Sequence, residues 1–168
     1  LAPFEGSENG GPTQGDRMDL QLKGQKAFIT GATKGIGRAI ADTLADEGCD
    51  VAICARTESD VTAAVEALSA KGVKATGRAF DVGDGDALRG WVNDAAEELG
   101  GLDIVVSNVS GGNAPGEDGW RANFEYDMLG AVRIVEAATP HLENSSNGNI
   151  VMISSTAALE KFLGAGAY

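Results

Sequence analysis

Short apolar runs alternate with longer segments of helical period along most of this sequence. The apolar runs read as strands at 26–30, 50–55, 75–80, 103–107 and 149–154. The segments between them have helical character, at 37–47, 58–71, 84–99 and 120–141. Strands that are joined through helices lie parallel, because right-handed crossovers return the chain to the same sheet. The alternation therefore predicts an α/β fold, a doubly wound parallel sheet of about five strands.

The longest predicted helix, at 120–141, carries an approximate apolar stripe. Its members are Phe124, Met128, Ala131, Val132, Val135 and Ala138. In an amphipathic helix such a stripe faces the core, and we expect the same here.

Composition and charge limit the function classes. The 168 residues are 43% hydrophobic, which is typical of one globular domain, and residues 1–17 lack a hydrophobic period, so we expect a disordered leader before a domain at 18–168. The 25 acidic and 13 basic side chains are scattered and give a net charge of -12, which argues against nucleic acid or anionic membranes as partners.

No run approaches the roughly 20 apolar residues of a membrane helix. Cys49 and Cys54 lack the spacing of a zinc site, and a reduced, cytoplasmic protein fits.

The most informative local feature is a glycine-rich turn between the first strand and the first helix. It reads Thr30-Gly31-Ala32-Thr33-Lys34-Gly35-Ile36-Gly37. Gly31 permits a tight turn, Gly35 lets the backbone approach a pyrophosphate, and Gly37 allows close packing of helix on strand. The N-terminus of the helix favours an anion, so this turn predicts a dinucleotide-binding, Rossmann-type fold.

This Thr-Gly-x-x-x-Gly-Ile-Gly pattern resembles the cofactor motif of short-chain dehydrogenases/reductases. The resemblance extends from about Leu22 to Tyr168. It implies that Gly31, Thr33, Lys34, Gly35, Ile36 and Gly37 contact a nicotinamide dinucleotide.

The end of the second strand bears on which dinucleotide is bound. NAD-binding folds place a carboxylate there for the ribose 2′-hydroxyl, whereas a 2′-phosphate needs a cation. Here Ala55 stands at that place, Arg56 follows it, and Lys34 supplies a second cation. Each cation alone is equally compatible with a solvated surface charge, but the two converge on one predicted phosphate position, and they favour NADP over NAD.

Three further positions resemble cofactor contacts of the family. Asp81 and Val82 follow the third strand, where an aspartate meets the adenine, and Asn108 follows the fourth. As an alternative, Asp81 is a helix-capping or turn residue. The match at Asn108 is imperfect, because the family usually reads Asn-Asn-Ala-Gly there, whereas this chain reads Ser107-Asn108-Val109-Ser110.

The resemblance also implies a catalytic set. Ser155 matches the serine at the end of the fifth strand, and Tyr168 matches the proton-transferring tyrosine at the spacing that the family uses. Taken singly, Ser155 is also a candidate helix cap, and Tyr168 is also a candidate packed aromatic. Asp127 takes the place of the asparagine that orders a proton-relay water, and an acid on the polar side of the helix is an equal alternative. His141 reads as a surface residue.

The resemblance implies an oxidoreductase that transfers a hydride between NADP(H) and a ketone, a secondary alcohol or a 3-oxoacyl thioester, as in beta-ketoacyl carrier-protein reductases. The alternative is a noncatalytic dinucleotide-binding module or an inactive fragment. The family's catalytic lysine falls four residues past Tyr168, so we expect a longer reading frame, and a homo-oligomer in the full-length protein. With no further strand, Ile150, Val151 and Ile153 would form an apolar sheet edge, which favours association.

Overall fold

The computed structural model of the protein describes residues 20–156. The strands are β1 Lys26–Thr30, β2 Asp50–Ala55, β3 Ala75–Ala79, β4 Ile104–Ser107 and β5 Asn149–Met152. The helices are α1 Gly35–Asp46, α2 Glu58–Ser69, α3 Gly85–Leu99, α4 Gly116–Asn123 and α5 Gly130–Leu142, and a π-helical segment, Phe124–Leu129, joins α4 to α5. The predicted leader, 1–17, lies outside the described residues.

The sheet is parallel throughout and has the strand order β3-β2-β1-β4-β5. β1 is central, and its Phe28 pairs with Ala52 of β2 on one side and with Val105 of β4 on the other. The predicted doubly wound α/β fold is therefore confirmed. The strand order reverses between β1 and β4, and sheets of this kind bind ligands in the crevice outside the carboxyl ends of the strands at such a point.

The core consists of one apolar layer on each face of the sheet. Alternate residues of a strand point to opposite faces, so Phe28 packs in one layer and Ile29 in the other. The first layer contains Trp91, which is 1% exposed and donates its Nε1–H to the backbone oxygen of Ile53 at 3.0 Å. The second layer includes Leu68 of α2. Both layers are needed because strands that are apolar on both faces must be covered on both.

The predicted helix at 120–141 is wrong in two respects. The segment starts earlier, at Gly116, and it is interrupted by the π-helical segment. Three members of the predicted apolar stripe do not face the core, because Phe124, Met128 and Val132 are 59%, 61% and 49% exposed. A π segment has i→i+5 bonds, so a stripe traced at 3.6 residues per turn loses its register there. Ala138 of the stripe is buried as predicted, and the buried face also carries Asn123, Gly130, Ile134 and Leu142.

Within residues 20–156, none of the helices has both the length and the apolar character to cross a membrane.

Candidate functional site

The glycine turn is fixed to the end of β2 by backbone hydrogen bonds. The N–H groups of Gly31 and Ala32 both donate to the Cys54 oxygen, at 2.9 and 3.3 Å. Gly31 has φ +65°, in the left-handed region that favours glycine. A Cβ on this residue would also lie 3.0 Å from the Val109 side chain. Gly31 therefore meets the requirements of a tight turn at the switch point of the sheet.

Gly37 makes the closest approach in this turn. A Cβ built on it would lie 2.4 Å from the backbone oxygen of Gly31 and 2.5 Å from the Asn108 side-chain nitrogen. Helix α1 begins at Gly35, two residues earlier than we predicted, and Gly35 has φ +58°. Lys34 precedes it as the N-cap and makes no side-chain capping bond. The first N–H groups of a helix have no acceptor within it, so α1 directs free donors and the positive end of its dipole at this turn.

A polar link joins β1 to β4 on the floor of the crevice. The backbone N–H of Asn108 donates to Thr30 Oγ1 at 2.9 Å, and its side-chain Nδ2 donates to the Thr30 oxygen at 3.1 Å. Thr30 is fully buried. The predicted cofactor residue Asn108 thus also holds the two central strand ends together. Sequence reasoning gave Thr30 no role beyond its place in the motif.

A cleft of about 500 Å³ opens where these strand ends meet. Seven of the predicted cofactor residues line it: Gly31, Thr33, Lys34, Arg56, Asp81, Val82 and Asn108. Three others, Gly35, Ile36 and Gly37, are absent from its lining, and Ile36 is 63% exposed. Residues that sequence reasoning did not predict as cofactor contacts also line it, among them Thr57, Asp60, Phe80, Ser110 and Tyr126.

Charge is mixed along the walls of this cleft. Lys34 and Arg56 are exposed cations that line it together, as the sequence predicted. Asp60, in the first turn of α2, contributes an exposed carboxylate to the same lining. Asp60 lies four residues beyond Arg56, and the sequence around it carried no signal that its side chain would face the cleft. The cation pair therefore has an anionic neighbour in the cleft.

Asp81 is held at both carboxylate oxygens. Its Oδ1 accepts the Gly83 N–H at 2.9 Å, and its Oδ2 accepts the Tyr126 hydroxyl at 3.0 Å. The hydrogen bond to Asp81, together with burial, raises the pKa of Tyr126 above the usual value of 10.0. Tyr126 is therefore a neutral donor at neutral pH. The alternative of a turn residue holds for Asp81, since it accepts the Gly83 N–H and closes the turn, and its contact with the adenine stays a prediction.

The loop after β4 rests on the helical segment opposite it. The backbone N–H of Gly111 donates to the Asp127 carboxylate, at 3.3 and 3.4 Å from the two oxygens. A Cβ on Gly111 would lie 2.6 Å from the Ala122 backbone. The Asn123 side chain donates to the oxygens of Gly112 and Gly119, at 2.9 and 2.8 Å. Asp127 thus shapes this loop, and it is absent from the lining of the cleft.

The predicted catalytic residues are not assembled in the described part of the chain. Ser155 is half-buried and lies three residues beyond β5. Tyr168 lies outside the described residues. His141 pairs with Asn93 through Nε2 at 2.9 Å on the exposed side of α5, which agrees with a surface residue.

Comparison with known proteins identifies the family. The model of the short chain dehydrogenase family matches residues 25–168, most of the chain. The chain belongs to this family. Among its curated relatives is isoepoxydon dehydrogenase PatN of Penicillium expansum, 38% identical over 141 residues that cover 80% of this chain and 53% of that protein.

Solved short-chain dehydrogenases share the fold. Carveol dehydrogenase from Mycobacterium avium, in complex with NAD, has a TM-score of 0.80 and 27% identity over 87% of this chain and 60% of its own. A short chain dehydrogenase from Burkholderia cenocepacia, in complex with NADP, has a TM-score of 0.79 and 32% identity over 87% of this chain and 63% of its own. This chain therefore spans about half to two thirds of the length of these relatives.

Proposed function

We propose that this protein is an NADP-dependent reductase that transfers a hydride between NADP(H) and a ketone, a secondary alcohol or a 3-oxoacyl thioester. The observation that carries the proposal is the joint placement of Lys34 and Arg56 on one cleft at the end of the glycine turn. Ala55, at the end of β2, also lines this cleft, and no carboxylate stands at that position. A 2′-phosphate would meet two cations there.

The residues of the cleft fit a dinucleotide. The absence of a side chain at Gly37 lets α1 pack closely against Gly31 and Asn108, and α1 directs unpaired N–H groups at the turn. We assign the pyrophosphate to the turn at Gly31 to Gly37, and the 2′-phosphate to Lys34 and Arg56. We assign the adenine to Asp81 and Val82, and Asn108 lies on the floor of the cleft.

The chemistry requires a proton at the oxygen as hydride reaches the carbon. The nicotinamide supplies that hydride when it is bound. On the resemblance to the family, Ser155 donates a hydrogen bond to the substrate oxygen and Tyr168 transfers the proton. A neighbouring cation lowers the pKa of such a tyrosine toward neutrality, and the family uses a lysine for this. Asp127 contributes indirectly, through its bond to the Gly111 N–H.

Nucleotide titration tests the cofactor assignment. The full-length protein is titrated with NADPH and with NADH, and binding is followed by nucleotide fluorescence. We expect tighter binding of NADPH and a loss of about tenfold or more in Arg56→Ala, the worth of a charge-assisted hydrogen bond. NADH binding should change little. Arg89→Ala is the matched control, because Arg89 lies on α3 and is absent from the lining of the cleft. A preference for NADH in the wild type would contradict the assignment of NADP.

Turnover separates this proposal from a noncatalytic dinucleotide-binding module. The substitution of aspartate for asparagine at position 127 favours the module, because the family uses the asparagine in proton relay. Reduction of a ketone by NADPH, and its loss in Tyr168→Phe with NADPH affinity retained, would support the enzyme. Tight binding of NADPH without turnover of ketones or 3-oxoacyl thioesters would favour the module.

We further propose a small-molecule carbonyl or alcohol as substrate, a homo-oligomer as the working state, and a cytoplasmic location. The exposed apolar residues Trp120, Phe124, Met128 and Val132 support self-association. Both cysteines are free thiols, which supports a reducing compartment. Light scattering of the purified protein tests the assembly, and a monomer at high concentration would argue against it.

A further inference from the structure

Tyr126 connects the helical segment to the loop after β3. It lies in the π-helical segment Phe124–Leu129, and it lines the cleft beside Asp81. Its hydroxyl donates to Asp81 Oδ2 at 3.0 Å, while the Gly83 N–H holds the other oxygen at 2.9 Å. An ionised carboxylate has about four acceptor positions, so two bonds fix its orientation and leave positions free for a ligand.

The same loop is also in close contact with the Tyr126 ring. A Cβ on Gly83 would lie 3.2 and 3.3 Å from two ring carbons. Arg133 of α5 makes a second attachment, because its Nη1 donates to the Gly83 oxygen at 3.3 Å and also binds Glu125. Tyr126 and Arg133 both hold the loop, and of these two side chains Tyr126 is the one that contacts the carboxylate of Asp81. These two attachments can be perturbed separately.

Neighbouring residues of the π-helical segment contact different loops. Tyr126 reaches Asp81 after β3, and the next residue, Asp127, accepts the Gly111 N–H after β4. Segments of this type occur often at functional sites. The segment therefore sets the positions of both loops that border the cleft.

We infer that Tyr126 is a positioning residue for cofactor selectivity: its hydroxyl orients the Asp81 carboxylate to accept a hydrogen bond from the exocyclic amine of adenine. This inference rests on the proposed function, which assigns the adenine to this end of the cleft. A carboxylate accepts hydrogen bonds and cannot donate them, so it rejects a base with a carbonyl at the same place, such as hypoxanthine. A carboxylate with a fixed orientation discriminates better between the two bases than a mobile one, because no conformational entropy is lost in orienting it when the nucleotide binds.

The test measures selectivity and not affinity alone. Dissociation constants of the full-length protein are determined for NADPH and for its hypoxanthine analogue. The analogue is reduced nicotinamide hypoxanthine dinucleotide phosphate. Both nucleotides fluoresce through the reduced nicotinamide. We expect the wild type to prefer NADPH by about tenfold or more, and Tyr126→Phe to lower that ratio by about fivefold, the worth of one hydrogen bond. Binding of the analogue should change by less than about twofold.

Arg133→Met is the matched control, since it loosens the same loop and leaves the Asp81 carboxylate bonded to Tyr126. Arg133→Met should weaken the binding of both nucleotides by the same factor and leave the ratio of their dissociation constants unchanged. An unchanged ratio in Tyr126→Phe would overturn the inference, as would a wild type that binds both nucleotides equally. A folded wild type that binds neither nucleotide would instead refute the proposed function, and it is thus a separate outcome.

Discussion

Replacement of Gly37 by alanine should disrupt the glycine turn, because the new methyl group has no space. The Cβ would lie 2.4 Å from the Gly31 oxygen and 2.5 Å from Asn108 Nδ2, and real Cβ contacts do not come closer than 3.0 Å. The nearest obstacle is backbone, which cannot rotate away. Asn108 Nδ2 would have to move from the Thr30 oxygen, to which it now donates at 3.1 Å.

The expected cost combines three terms. Overpacking of this kind costs about 1–3 kcal/mol, and the lost hydrogen bond costs about 1 kcal/mol. Alanine in a helix returns up to about 1 kcal/mol relative to glycine. The net loss of unfolding free energy is therefore about 2 kcal/mol, which lowers Tm by about 4–8 °C in a domain of this size.

Thermal unfolding and NADPH titration of Gly37→Ala measure this effect. Gly90→Ala is the matched control, because Gly90 lies within α3 and a Cβ there would meet nothing within 4 Å. That control should raise stability by about 0.5–1 kcal/mol. A Gly37→Ala protein with the wild-type Tm and unchanged NADPH affinity would refute the argument that this position needs glycine for space.

Two further predictions concern charge in the cleft and the buried thiols. Asp60→Asn should tighten NADPH binding by about two- to fivefold, because an anion near the 2′-phosphate is removed. This gain in affinity should shrink in about 1 M salt. An equal gain in affinity for NADH would contradict the explanation. Burial raises the pKa of Cys49 to about 11 and that of Cys54 to about 12, from 9.0, with Asp103 adding to the shift at Cys49. The folded state thus favours the neutral thiols, so their contribution to stability is complete below about pH 9 and is lost as the pH rises toward 11 and 12. Denaturant unfolding between pH 8 and 10.5 should show a decline that is smaller in Cys49→Ala/Cys54→Ala, and an equal decline in that variant would exclude the thiols as its cause.

Local sequence signals were sufficient for the sheet and for one half of the cleft. The five strands and the glycine turn were predictable because strand periodicity, helix periodicity and turn chemistry are each contained within a few consecutive residues. Lys34 and Arg56 could be placed together because the carboxyl ends of adjacent parallel strands meet at one edge. The cleft lining agrees with that placement. Its function as a phosphate site stays a prediction.

The other half of the cleft depended on long-range contacts. Asp81 and Tyr126 are 45 residues apart, and Gly111 and Asp127 are 16 apart, so neither pair has a local signal. Tyr126 and Asp127 both lie in the π-helical segment, and from this segment onward three residues of the expected apolar stripe, Phe124, Met128 and Val132, are exposed to solvent. The amino-acid sequence alone determined the parallel α/β fold and the glycine turn, because these follow from short-range periodicity and backbone freedom. Only the tertiary structure decided which side chains border the cleft from the helical side, because one π turn changes which residues face the sheet.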